Sequence, residues 1–342
     1  IAGALDLGPG TVGVSWLPLF HDMGLVGVLL TALAHPYPLH LMPPESFLFR
    51  PRRWLELMAR CGATLTAAPN FAYELCVTRA ARVAELDLSA LRTMLSGAET
   101  VHPQTFERFA RHCAATGLRA SPFVPVYGLA EATLAVTFSP VDARIETTGD
   151  GQRPIVSVGQ PVAGTSCSIQ DTGRRVVAEG EPGEIVVRSQ SLMDGYFRNE
   201  EASLEVLRDG ALQTGDLGFI AGGRLYVTGR KKDLIIKGGR NIHPEDVELA
   251  ARQANSQHLG AVAAVARSNP ESGTEDLVLF AETRERDPAS RQQLQKSIIG
   301  EVLGALGVKV DAVQLCRIGA LPRTTSGKVK RAACASLLRG EP

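Results

Sequence analysis

Over residues 1–138 the hydrophobic positions alternate between short continuous runs and stretches with helical spacing. The run at 11–19 reads as a buried strand, and those at 39–42, 64–67, 91–95 and 123–126 read as further strands. The intervening stretches 51–60, from Asn70 onward, and from Pro103 to about residue 113 read as helices, with Pro51 and Pro103 at first helical positions. The apolar run 25–34 reads as a buried helix, entered through the corner Phe20-His21-Asp22-Met23-Gly24. This alternation predicts an α/β layer, a parallel sheet flanked by helices, with ligands at the carboxyl ends of its strands. From 139 to 230 the pattern changes to short β runs at 166–170, 175–177 and 184–188 and a hairpin at 218–220/224–227, which predicts a small β-barrel or sandwich subdomain. From 231 to 342 a hairpin, a helix at 244–254, strands at 261–266 and 277–283, a helix at 288–306, a strand at 310–318, the loop 321–328 and a last helix predict a small α+β domain.

Composition narrows the classes. The 342 residues hold 36 basic and 36 acidic side chains, so no global charge excess argues for a nucleic-acid partner. The run 25–34 is too short to span a bilayer, so no integral membrane protein is expected. The six cysteines are scattered without a Cys-x-x-Cys pair, which argues against a zinc site or disulfide framework and makes a reducing cytoplasm the expected setting. The chain opens on Ile1, without a signal peptide, and is expected to continue from an upstream segment of a longer polypeptide.

The candidate chemistry clusters at element ends. In Thr214-Gly215-Asp216 a short carboxylate after glycine can accept two hydrogen bonds from a sugar diol, and Arg230, one hairpin later, offers a rigid fork of donors for phosphate or ribose oxygens. Taken alone, a Gly-Asp is more often a turn, and Arg-Lys-Lys more often a solvated face. Two strand-end turns, Ser96-Gly97-Ala98-Glu99 and Tyr127-Gly128-Leu129-Ala130-Glu131-Ala132-Thr133, lie where an α/β sheet binds ligands. Tyr127 can lay its ring against a base, and Glu131 can hold Mg²⁺ beside phosphates, since that ion takes hard oxygens and often only one or two carboxylates. Gly8, Gly10 and Gly13 match a dinucleotide fingerprint by letter only, because they precede a strand instead of following one. Gly327-Lys328 is not a phosphate loop either, as Pro322 and Val329 stand where glycine and Ser/Thr are needed; Lys328 is instead a loop lysine able to enter a site and neutralise charge.

In this order the motifs resemble the adenylate-forming enzymes, the superfamily of acyl-CoA synthetases, amino-acid adenylation domains and luciferases, over nearly the whole chain. VSWLPLFHDMGLVG, FLFRPRRWLELMARCGATLTAAPNFAYELC, LSGAETVHPQTFERFA and YGLAEATLAVTF are most similar to fatty acyl-AMP ligases. The resemblance implies ATP and Mg²⁺ as cofactors, with Glu131 as the metal ligand. It implies Gly97, Ala98, Glu99, Tyr127, Gly128, Leu129, Ala130, Asp216 and Arg230 around the nucleotide. Lys328 would stand at the substrate carboxylate and α-phosphate, and Lys232 at the hinge of a reorienting C-terminal domain whose Gly238-Gly239-Arg240 enters the acyl-transfer channel. His21, Asp22, Met23, Gly24, Asn70 and Phe71 would border the fatty-acid pocket, with His21 also close to the chemistry.

The implied reaction is attack of a fatty-acid carboxylate on ATP, giving acyl-adenylate and pyrophosphate, followed by transfer to the phosphopantetheine thiol of an acyl carrier protein. A fatty acyl-CoA synthetase, which uses CoA instead, and a non-catalytic nucleotide- or acyl-binding module are the alternatives. Two departures matter. The Ser/Thr/Gly phosphate loop of the family is absent, so the chain by itself is expected to be weakly active or inactive. The insertion that such ligases carry against CoA is sought at 139–156, where only a short segment is available, so the choice of thiol stays open.

Overall fold

Strand Gly13–Ser15 pairs in parallel with Leu39–Leu41 on one side and Leu65–Ala68 on the other, and from this nucleus the N-terminal sheet extends. The computed structural model describes residues 1–119, 122–149, 154–254, 259–269, 274–324 and 328–339. Its contacts divide the chain into two units, Ile1–Thr228 and Gly229–Pro342.

The first unit carries a seven-stranded sheet in the order Leu39–Leu41, Gly13–Ser15, Leu65–Ala68, Thr93–Ser96, Phe123–Gly128, Ala135–Phe138, Gln160–Pro161. The first five strands run parallel, and the last two pairings, to Ala135–Phe138 and from it to Gln160–Pro161, are antiparallel. Every residue of Leu65–Ala68 and Thr93–Ser96 is buried, as expected where helices cover both faces. Helix Arg52–Cys61 presents Trp54, Leu55 and Met58 to the core and ends at Gly62, whose φ of 61° closes the helix in the left-handed region. Its indole belongs to an aromatic cluster in which Trp16 stacks on Phe47 at 4.1 Å and Phe106 on Phe123 at 4.2 Å. Tyr73, fully buried among these rings, donates its hydroxyl to the Leu95 carbonyl at 2.8 Å.

Two expectations change here. The strand predicted at 11–19 is confined to Gly13–Ser15, because the Ser15 hydroxyl takes the Leu17 N–H at 3.1 Å and Pro18 has no N–H to continue a ladder. The run 25–34 is helical but not buried: Val28, Thr31 and Ala32 face inward, whereas Leu25, Leu30 and Leu33 are exposed, Leu33 by 67%. Its centre, Leu25–Leu30, is a π-helical turn, in which both the N–H and the hydroxyl of Thr31 reach the Val26 carbonyl.

A five-stranded antiparallel sheet follows, made of Thr165–Gln170, Gly183–Ser189, Ala211–Ala221, Leu207–Arg208 and Arg224–Arg230. The run predicted at 175–177 contributes only a single bridge, Gln170 to Val176. Ile169, Ile185, Val187, Leu212 and Leu225 pack beneath this sheet with Leu129 and Val136 of the first.

The second unit opens with the hairpin Ile235–Lys237/Arg240–Ile242, whose two turn residues Gly238 and Gly239 have φ of 56° and 75°, the pair of left-handed positions that a type I′ turn requires. Helix Pro244–Gln253, strands Leu259–Asn269, Thr274–Thr283 and Ala312–Arg317, helix Pro288–Leu306 and helix Arg331–Arg339 complete it. The first two strands pair antiparallel and the third parallel to the second.

Candidate active site

Strand Phe123–Gly128 ends in a tight corner. A β-carbon on Gly128 would lie 1.9 Å from the Leu134 carbonyl oxygen, so only glycine lets the next strand return this closely, and the pairing slips between Tyr127 and Gly128. The short 3-10 turn Ala130–Ala132 follows, and Thr133, at φ 66°, sits in a strained conformation secured by its hydroxyl on the Ser191 carbonyl at 2.7 Å. The Ser96-Gly97-Ala98-Glu99 turn is drawn against the same strand: a β-carbon on Gly97 would meet the Val126 carbonyl oxygen at 2.8 Å, and Ala98 has φ 66°.

Tyr127 and Asp216, 89 residues apart, meet directly. The phenol donates to Asp216 Oδ2 at 2.7 Å. Asp216 is 5% exposed, and Gly215 before it, at φ 70°, turns the strand so that the carboxylate points to Tyr127. Thr214 steadies the turn by donating its hydroxyl to the Ile185 carbonyl and accepting the Asp216 N–H at 3.1 Å. Burial first, and the Asp216 charge second, push the Tyr127 phenol well above its ordinary value, so it stays a neutral donor.

Glu131 accepts a hydrogen bond from the Tyr196 phenol on Oε1 at 2.8 Å. No cluster of three or more His, Cys, Asp or Glu that could hold a metal occurs among the described residues. Glu131 therefore fits Mg²⁺ only as one carboxylate ligand of an ion whose other oxygens come from phosphate and water, which is that ion's usual habit beside nucleotides.

The residues expected at the fatty-acid pocket have mixed surroundings. His21 caps the helical segment that starts at Asp22. Its Nδ1 accepts the Met23 N–H at 3.2 Å and lies 2.6 Å from Asp22 Oδ1, which the same N–H reaches at 2.7 Å. Gly24 is held so close to the preceding chain that a β-carbon would lie 2.3 Å from the Pro18 carbonyl oxygen. Asn70 is buried, and both ends of its amide are used: Oδ1 accepts the His102 N–H and Nδ2 donates to Thr105, each at 3.2 Å. Asn70 thereby ties helix Asn70–Arg79 to helix Pro103–His112. The Phe71 N–H donates to Glu99 Oε1 at 2.6 Å, and the Phe71 ring packs edge-on to Trp16 at 6.0 Å. An apolar crevice runs beside the sheet among Val14, Gly27, Val28, Tyr37, Leu39 and Leu65, and none of the six expected pocket residues lines it.

In the second unit, Arg230 precedes the single 3-10 turn Lys231–Asp233 that contains Lys232. Lys328 sits on one arm of a hairpin-like turn, with Arg323 bridged to Val329, the Thr324 N–H on the Lys328 carbonyl at 2.7 Å and the Lys328 N–H on the Thr324 hydroxyl at 3.1 Å. Gly327 and Ser326, expected in that loop, lie outside the described residues. Glu282, 1% exposed, holds the base of the turn by accepting the Leu321 N–H and the Arg323 guanidinium at 3.0 and 3.1 Å.

Directly after the turn, Arg331 donates twice to Glu248, at 2.7 and 2.9 Å, and pairs with Glu245 at 2.7 Å and Asp233 at 3.4 Å. Burial opposes its charge, yet the carboxylates more than offset this and raise its pKa further. The sequence reading missed Tyr196 and Arg331. Gly195-Tyr196-Phe197-Arg198-Asn199 has the composition of a turn, and nothing in it points to Glu131 65 residues earlier.

A family model described as AMP-binding enzyme matches residues 2–197. Long-chain-fatty-acid–AMP ligase FadD26 of Mycobacterium tuberculosis is 35% identical over 373 residues, covering 97% of this chain and 62% of the relative. The putative fatty-acid–CoA ligase fadD21 of Mycobacterium leprae is 33% identical, covering 95% and 62%. A structure from a study of fatty acyl-adenylate ligases of E. coli and L. pneumophila superposes with a TM-score of 0.89 at 34% identity, over 99% of this chain and 64% of that one. A fatty acyl-adenylate ligase of L. pneumophila in complex with acyl adenylate and pyrophosphate does so with a TM-score of 0.65 at 32% identity, over 100% and 64%. The chain thus spans under two thirds of the length of these relatives.

Proposed function

The chain belongs to the AMP-binding enzyme family, and from that premise we propose that the protein activates a long-chain fatty acid with ATP, forming acyl-adenylate and pyrophosphate, and passes the acyl group to the phosphopantetheine thiol of an acyl carrier protein. The observation that carries this reading is the direct Tyr127–Asp216 hydrogen bond. It fixes a buried carboxylate beside the strand-end turns Gly97-Ala98-Glu99 and Gly128-Leu129-Ala130, as recognition of a ribose and an adenine ring would need.

The roles follow from the chemistry of each group. Asp216 accepts from the ribose hydroxyls, with Arg230 assisting, and the Tyr127 ring stands against the base. Mg²⁺, held through Glu131, would supply charge neutralisation at the phosphates. Lys328 meets the negative charge of the fatty-acid carboxylate and the α-phosphate as they approach; a preorganised cation of this kind is worth about 10²–10³ in rate. The carboxylate needs no general base to attack, since it is already ionised near neutral pH, and orientation in line with the leaving pyrophosphate does most of the remaining work. Reorientation of the C-terminal domain about Lys232 then exchanges Lys328 for Gly238-Gly239-Arg240 at the transfer stage. The residues His21 to Gly24 border the fatty-acid pocket, with Asn70 and Phe71 on another wall. We place the reaction in the cytoplasm, the reducing setting that the scattered cysteines suggest. No helix of the described residues is long and apolar enough to cross a membrane.

The alternative reading is transfer to CoA, the thiol in the names that some relatives carry, putative fatty-acid–CoA ligases. The test uses the natural full-length protein with ATP, Mg²⁺ and a ladder of fatty acids, followed by CoA or a phosphopantetheinylated carrier protein, with products read by mass. Acyl-adenylate that persists with CoA and moves to the carrier is the expected result. Rapid acyl-CoA formation selects the alternative reading, and nucleotide binding without any pyrophosphate exchange would leave a binding module.

A further inference from the structure

Glu131 is served by a tyrosine that none of the nucleotide-side motifs contains. The segment after strand Gly183–Ser189 is fastened to the Ala130–Thr133 turn at four points: Tyr196 Oη to Glu131 Oε1 at 2.8 Å, the Met193 N–H to the Glu131 carbonyl at 2.8 Å, the Thr133 hydroxyl to the Ser191 carbonyl at 2.7 Å and the Ser191 hydroxyl to the Ala132 carbonyl at 3.2 Å. Tyr196 is itself seated. Its N–H donates to the Ser203 hydroxyl at 2.7 Å, and that hydroxyl donates to the Asn199 carbonyl at 2.7 Å. Asn199 caps helix Glu200–Val206 by accepting the Ala202 N–H, so the backbone that carries the phenol is anchored to a capped helix.

A glutamate side chain at a half-exposed turn samples several rotamers, and ordering it for a metal costs conformational entropy. Here one oxygen is occupied by a neutral donor, while Oε2 carries no hydrogen bond among the described residues. We propose that Tyr196 is a positioning residue: its phenol fixes Glu131 through Oε1, so that Oε2 is presented in one orientation to a divalent cation. This rests on the assignment of Glu131 as the metal ligand made above. The phenol acts as an outer partner of the metal ligand, a class of contact whose loss weakens metal affinity by about 10–100-fold.

The experiment titrates Mn²⁺ into the natural full-length protein with ATP present and reads bound Mn²⁺ by EPR, comparing wild type, Tyr196→Phe and Ser203→Ala with Glu131→Gln as the reference. Tyr196→Phe is expected to raise the Mn²⁺ dissociation constant about tenfold, with metal-free ATP binding unchanged. Ser203→Ala, which only loosens the seat of Tyr196, shifts the constant the same way by less, and supplies the answer should the phenylalanine variant fold poorly. Mn²⁺ binding equal to or tighter than wild type in both variants, with Glu131→Gln weakened, overturns the role of Tyr196. No effect of Glu131→Gln overturns that role together with the metal assignment, while acyl-adenylate formation measured by mass stands or falls separately.

Discussion

Asp216 and Glu248 are both carboxylates drawn largely out of water, and the two units of the chain satisfy them by different chemistry. In the first unit Asp216 receives a neutral phenol from Tyr127, and Glu131 receives another from Tyr196. In the second, Glu248 and Glu245 face the Arg331 guanidinium, and Glu282 faces Arg323. A neutral donor leaves the carboxylate its full charge. A buried arginine cancels the charge and uses the fork geometry to lock two elements together. The first arrangement suits a group that must still meet a ligand, the second a joint.

The comparison can be broken most severely at Arg331. Replacing it by methionine keeps much of the volume but leaves Glu245, Glu248 and Asp233 without their cation, and should cost about 3–5 kcal/mol of the stability of the second unit in denaturant unfolding. The deficit should shrink from pH 7 toward pH 5. Burial already raises the Glu245 pKa above its ordinary value. A group raised in the folded state contributes most below its unfolded pKa and loses that contribution as pH rises through the folded one, so acid relieves the variant. A pH-independent deficit would mean that packing, not charge, is lost.

Next in size is Lys328→Ala in the natural full-length protein, with a fall in adenylate formation of about 10²–10³, or roughly 3–4 kcal/mol, while ATP binding by calorimetry stays nearly unchanged. Wild-type rates would remove Lys328 from the chemistry. Tyr127→Phe sharpens the neutral-donor side. It leaves buried Asp216 Oδ2 without its donor and should cost about 1.5–3 kcal/mol of first-unit stability, with a matching loss of nucleotide affinity. Affinity preserved at reduced stability would make the bond a purely structural one.

The smallest effect concerns Asp287, a fully exposed carboxylate whose partners are neither phenol nor arginine but the N–H and the hydroxyl of Ser290. It caps helix Pro288–Leu306 by accepting the Ser290 N–H at 2.8 Å, and that bond lowers its pKa. A lowered pKa stabilises above the unfolded value and loses that contribution as pH falls through the folded one. Asp287→Asn should therefore flatten the acid limb of the stability profile while the cap persists, and Asp287→Ala should lower the unfolding midpoint slightly at neutral pH as well.

The strands and helices were legible where local pattern decides them. Helix Pro288–Leu306 has proline at its first position and Gly307 past its end, and the short stretches at 64–67 and 91–95, set between helical patterns, read as strands. The strand-end turn after Tyr127 was legible for a related reason, since Gly128 is demanded by a backbone approach that no other residue permits. Less was legible in the run 25–34. Its letters are apolar apart from Gly27 and Thr31, but burial depends on which neighbours arrive, and only one face of that helix found any.

By itself the sequence determined the alternation of elements, the strand-end turns and the residue types able to meet a nucleotide, because each depends on spacing within a few positions. Only the tertiary structure decided that Tyr127 holds Asp216, that Tyr196 holds Glu131, and that Arg331 gathers Asp233, Glu245 and Glu248. Such pairs join positions 65 to 98 residues apart. A phenol or a guanidinium carries no mark in the sequence of which distant carboxylate it will meet. That choice is made when the packing of strands and helices brings the two together and removes the water that would otherwise serve both.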